Sequence, residues 1–216
     1  MNAGVTLTLD SAIVGAAYDL SGTQSAGLTG TGTLDAAGNT DTAVLGDAAK
    51  DPFIGNVGST DPSPDSLTIV GWKYGVVIAS TGTEAATDIV VENLQISGPA
   101  AIDVIYLFWI TSRPALNGPQ VEGLVVTNLL VDGGQPLGVN GAIIGSEWSA
   151  ENGFTADQIT LQGVSNAVLT NVTSVNGGEN AVAVAWGSTN VTFVDAIVSG
   201  ADCLTSALMG PNSGIC

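Results

Sequence analysis

An all-β solenoid of short parallel strands is the fold class this sequence predicts, on three observations. The first is composition: of 216 residues 45% are hydrophobic, yet only 5% are aromatic and 29 are glycine. Small aliphatic and β-branched residues with Thr, Ser and Asn suit short strands and tight turns, and a disordered chain would lack the Val and Ile. The second is period-two alternation in DIVVENLQISG, EGLVVTNLLVDGG, NAVLTNVTSVNGG and TNVTFVDAIVSG, which gives each strand one apolar face. The third is recurrence. Val168, Val175, Gly177 and Ala181 return 23 residues later as Val191, Val198, Gly200 and Leu204. Going back 44, Val168, Val175 and Gly177 match Leu124, Val131 and Gly133; another 35 back, Val126, Asn128 and Val131 match Val91, Asn93 and Ile96. With coils of about 22–23 residues, 44 reads as two coils and 35 as one coil with an insertion.

A coil of this length buries its apolar face only by stacking on the next coil, so the strands must pair in parallel. In the N-terminal half, Val5–Asp10, Gly27–Asp35, Ser66–Gly71 and Tyr74–Ser80 read as strands. Thr40–Lys50 predicts a short helix ended by Asp51-Pro52, and Asp61–Ser66 (DPSPDS) a rigid loop, because each Pro fixes φ. One domain over 1–216 follows: irregular N-terminal coils and a cap over 1–87, regular coils over 88–204, and a C-terminal cap over 205–216. Cys203 and Cys216 read as a disulfide closing that cap, worth about 3 kcal/mol in the chain-entropy model and fitting an oxidising compartment.

The strand, Asn corner, strand, Gly grammar resembles the pectate-lyase-like right-handed parallel β-helix superfamily, whose coils often stack Asn side chains along one corner. Asn93 and Asn128 match that corner, and Asn171 reads one residue out of register. The resemblance covers 88–204 and is one of architecture. The superfamily hosts lyases, hydrolases, adhesins and phage fibres, so it implies no activity.

Charge excludes more than it assigns. Three Lys+Arg (Lys50, Lys73 and Arg113) against 20 Asp+Glu give a net −17. Nucleic acid and anionic membrane surfaces need clustered cations and are set aside. No apolar run reaches a membrane span; Ile102–Ile110 is the richest and contains Asp103. Met1 leads straight into polar, strand-like sequence, so a secreted or cell-surface location expects a leader already removed. The absence of His excludes Ser-His-Asp and Cys-His catalysis and the usual zinc and haem ligation.

The remaining candidates are few. In the repeat, Asp132, Asn176 and Ser199 form one column and Gln135, Glu179 and Asp202 another, with neighbouring strands about 4.8 Å apart. Asp132, Glu179 and Asp202 are therefore the candidate calcium ligands, against the plainer reading of a solvated acidic ridge. Arg113 is the candidate base of a lyase, against an Arg merely paired with a nearby acid. Tyr106, Trp109, Trp148 and Trp186 are candidate platforms for a neutral glycan, against core padding. Asn171-Val-Thr and Asn190-Val-Thr are formal glycosylation sequons read as structural. Thr6/Thr8 and Thr29/Thr31/Thr33 hint at an ice-binding array, but at the 23-residue spacing Thr170 and Thr173 fall opposite Phe193 and Ala196. The expected function is a non-catalytic, secreted or cell-surface module with a structural, adhesive or self-assembling role and no resident cofactor. The alternatives are a polysaccharide lyase or glycoside hydrolase, and an ice-binding protein.

Overall fold

The computed structural model describes residues 2–38, 41–57, 65–81, 84–98, 105–112, 120–133, 156–175, 181–185 and 187–199. These form strands and turns with no helix. Among the described residues every pairing between strands is parallel, and the only antiparallel contact is an isolated bridge, Thr81 to Glu84. The chain repeatedly lays strands down in a fixed order. In one row of an 11-stranded sheet lie Thr6–Leu9, Gly27–Gly30 and Phe53–Gly55, and in a second row Ala12–Val14, Thr33–Asp35 and Leu67–Val70. The longer strands Thr87–Ser97, Val121–Asp132 and Val164–Val175 span both rows, which part again as Thr189–Val194 and Ile197–Ser199. Between visits to this sheet the chain adds Tyr18–Asp19, Thr42–Asp47, Tyr74–Ala79, Ile105–Thr111, Ala156–Gln162 and Val182–Ala185 to a six-stranded sheet.

The core lies between the two sheets and is built of columns. Leu28, Ile54, Val91, Val126, Leu169 and Phe193 stack through consecutive strands, as do Leu34, Ile69, Ile96 and Val131. Val44, Val76, Phe108, Ile159 and Val182 face them from the smaller sheet. Alternation thus does what it predicts: one face of each strand enters a shared apolar interior.

Three expectations require correction. Thr42–Asp47 is a strand, not a helix, because Val44 is buried in a column between Tyr18 and Val76. The stretch Gly27–Asp35 is two strands, broken where Gly30 takes φ 111. The third concerns register. Val125 pairs directly with Val168 and Val168 with Thr192, so the steps are 43 and 24 residues, and the longer one is a single step. The two one-residue slips cancel over the pair, but between them they misplace every residue of 164–175, and in a strand a one-residue slip turns every side chain to the opposite face.

Asparagine sets the true register. Asn171 Nδ2 donates to Asn128 Oδ1 (2.7 Å) and Asn128 Nδ2 to Asn93 Oδ1 (2.8 Å). Asn93 Nδ2 continues the ladder to the Asn56 carbonyl (2.6 Å). Asn93, Asn128, Asn171 and then Asp195 all take left-handed backbone, φ 52–56, which Asn and Asp tolerate better than other side chains. A second left-handed column runs through Ser25, Asp51, Asp88, Gly123, Asn166 and Asn190. These two columns bend the long strands at fixed places.

The observed register puts Ser174, not Val175, beneath Val131 in the core. Its hydroxyl lies 2.7 Å from Gln158 Oε1, and Gln158 Nε2 donates to the Val175 carbonyl. Both side chains are buried. Ser174→Val restores an apolar column but strands the Gln158 oxygen, so a loss of about 1–3 kcal/mol is expected in urea denaturation. Adding Gln158→Leu should recover most of it. A double variant as unstable as the single one would show that the hydroxyl serves another purpose.

Candidate functional site

The sequence candidates divide by location. Arg113, Trp148, Trp186, Glu179, Asp202, Cys203 and Cys216 lie outside the described residues. Tyr106 is placed by its backbone, which pairs with Tyr74 and Asp157 in the smaller sheet. Trp109 is buried; its indole N–H donates to Gln162 Oε1 (3.0 Å) and its ring stacks with Tyr74 at a centroid distance of 6.3 Å. Asp132 has Ser97 and Val175 as strand neighbours, with Ser199 beyond Val175. Val175 therefore stands where Asn176 was expected, and the column loses an oxygen. Among the described residues no three Asp, Glu, His or Cys side chains gather closely enough to hold a metal ion.

Both sequon asparagines serve the corner columns. Asn171 spends its amide on Asn128, and Asn190 Nδ2 donates to Asn166 Oδ1 (3.1 Å). The Thr positions also change neighbours: Thr170 faces Val194 and Thr173 faces Ile197. No helix among the described residues is long and apolar enough to cross a membrane.

The outward faces of the two sheets differ in kind. On the smaller sheet Val77, Trp109, Thr160 and Ala183 form one outward column, and all four are buried. The Thr160 hydroxyl has no hydrogen-bond partner among the described residues. On the larger sheet the outward column Val90, Val125, Val168 and Thr192 is open, with Val125 and Val168 well exposed. Beside it run Glu92, Thr127, Thr170 and Val194, then Gln95, Leu130, Thr173 and Ile197.

The ends of the stack form the third surface. Thr6–Leu9 and Ala12–Val14 each have one strand neighbour at one end, and Thr189–Val194 and Ile197–Ser199 each have one at the other. Among the described residues, each outermost strand thus keeps a row of backbone groups that no neighbouring strand pairs; the cap expected over 205–216 lies outside the described residues. Leu7 stacks inward on Leu28 and Val198 on Ser174, yet both remain substantially exposed. At the first end the Tyr18 hydroxyl donates to the Val5 carbonyl (2.9 Å), and burial raises its pKa above the usual phenol value. Open ends are implied by any stacked repeat, but which residues occupy them depends on register.

Comparison with known proteins finds no matching family model, no matching curated protein and no matching solved structure.

Proposed function

We propose that this chain is a right-handed parallel β-helix of the pectate-lyase-like kind, and that it serves as a non-catalytic, self-assembling structural module at the cell surface or outside the cell. The fixed order of strands, each returning parallel to its predecessor, supports the helix, and a right-handed crossover is the sense such connections take. The assembly reading is carried by one observation: inward-facing apolar side chains at both ends are left part exposed, Leu7 at 37% and Val198 at 42%. Each belongs to a core column that a further strand would continue. A second copy offers that strand with the same 4.8 Å spacing and parallel sense. Joining the last strands of one copy to the first strands of the next is a head-to-tail contact, which propagates as a filament.

Leu7→Glu and Val198→Glu each spoil one end. Either variant alone is expected to sediment as a species that cannot grow, whereas the wild-type chain forms filaments visible by electron microscopy. Mixed, the two variants retain one good end each and should form a 1:1 complex that stops there. Filaments from either variant alone, or wild-type protein that stays monomeric at every concentration, would rule out the end-to-end contact.

A further inference from the structure

We infer that the outward face of the last strands of the larger sheet is a second, lateral contact surface, and that its occupant is the same face of another copy. Val125 (49% exposed), Val168 (44%), Val194 (41%) and Ile197 (58%) lie open on it. Thr127, Thr170, Thr173 and Thr192 fill the positions between them. None of these eight is ionisable, in a chain with 20 acidic residues and a net charge of −17. The carboxylates stand around this patch: Glu92 precedes Thr127 in its column, Asp132 follows Leu130 along its strand, and Asp195 lies in the corner after Val194.

The charge pattern selects the occupant. Two strongly acidic copies repel wherever their acids meet, so a contact between them is tolerated only where acids are missing. An uncharged centre inside an acidic rim has that form. Columns of Val and Thr about 4.8 Å apart can interdigitate with an identical set, as two sheets do when they pack about 10 Å apart. Three strands over six residues each present roughly 300 Å² per copy, which is the size of a weak, transient contact. The expected dissociation constant is on the order of 10 μM to 1 mM, tightening as salt screens the rim.

This surface is separate from the ends, so its test uses the end-blocked Val198→Glu background. Analytical ultracentrifugation across a concentration series should show a monomer–dimer equilibrium that strengthens with added NaCl. Val168→Glu in that background should weaken the dimer at least tenfold, while Val57→Glu, an exposed valine off this face, should not. Thr170→Glu repeats the test at the next outward position if circular dichroism shows Val168→Glu to be misfolded. Four results would overturn the inference: a monomer at all concentrations, a dimer indifferent to both face variants, a dimer equally weakened by Val57→Glu, or a monomer whose face instead retains neutral polysaccharide or produces thermal hysteresis. Loss of filaments with this dimer intact would sink only the axial contact.

Discussion

Asn128→Val is expected to destabilise the protein by about 3–5 kcal/mol, measured as a shift in the urea midpoint. Two costs add. Asn128 sits at φ 56, where a β-branched side chain is strained by roughly 1–2 kcal/mol or more. It is also the middle of the ladder, giving its amide hydrogens to Asn93 and accepting from Asn171. Removing it takes one hydrogen-bond partner from the buried Asn93 carbonyl oxygen, at about 1–3 kcal/mol, and one from the half-buried Asn171 amide, at less. Asn128→Gly separates the two costs. Glycine takes the left-handed backbone freely, so it loses only the hydrogen bonds and should fall near half the damage of Val. Equal losses for Val and Gly would mean that backbone strain at this corner contributes little. No loss for either would mean that the ladder is incidental and that apolar columns alone fix the register.

The same asparagines explain how far the sequence could be read. Alternation of Val, Leu and Ile with Thr and Ser announced strands with one buried face, and recurrence announced stacking. Both follow from side-chain period alone, which is local information. Register is not local. Matching Val131 to Val175 favours likeness of apolar residues, whereas the chain matches Asn128 to Asn171 and accepts Ser174 in the core as the consequence. Ser174 is tolerable there only because Gln158, from the other sheet, meets its hydroxyl. Nothing near Ser174 in sequence foretells that partner. The calcium column was read with the same slip, so Asp132 acquired an imagined Asn176 neighbour. Thr40–Lys50 was misread for a related reason: its Ala-rich run carries local helix propensity, but Val44 lies in a column reaching from Tyr18 to Phe108. The surfaces proposed for assembly were legible only in outline. Acid-free outward positions can be picked out once the faces are known, and the faces are known only once the register is.

Gly55→Val should be more damaging than any other single change considered, because the clash is with backbone. Gly55 ends the strand Phe53–Gly55 at φ 130, paired between Thr29 and Glu92. A Cβ there would overlap the Glu92 carbonyl group. A carbonyl paired in a sheet cannot rotate aside, and Asn56 N–H already donates to it (2.8 Å). Relief requires the two strands to part, which breaks the row linking Thr6–Leu9 and Gly27–Gly30 to Thr87–Ser97. The expected loss exceeds about 4 kcal/mol, a size reserved for changes the surroundings cannot absorb. Because each strand contacts chiefly its immediate neighbours, the damage should stay local. Limited proteolysis of the variant should trim the N-terminal strands while the strands Val121–Asp132 and Val164–Val175 remain protected. Gly187→Ala is the control: φ is 76, but nothing lies within 4 Å of the added carbon, so only the backbone cost of about 1 kcal/mol remains. If Gly55→Val matched that small loss, the strands at this point would be free to separate, and the continuous stack that joins the two ends of the proposed axial contact would be broken there.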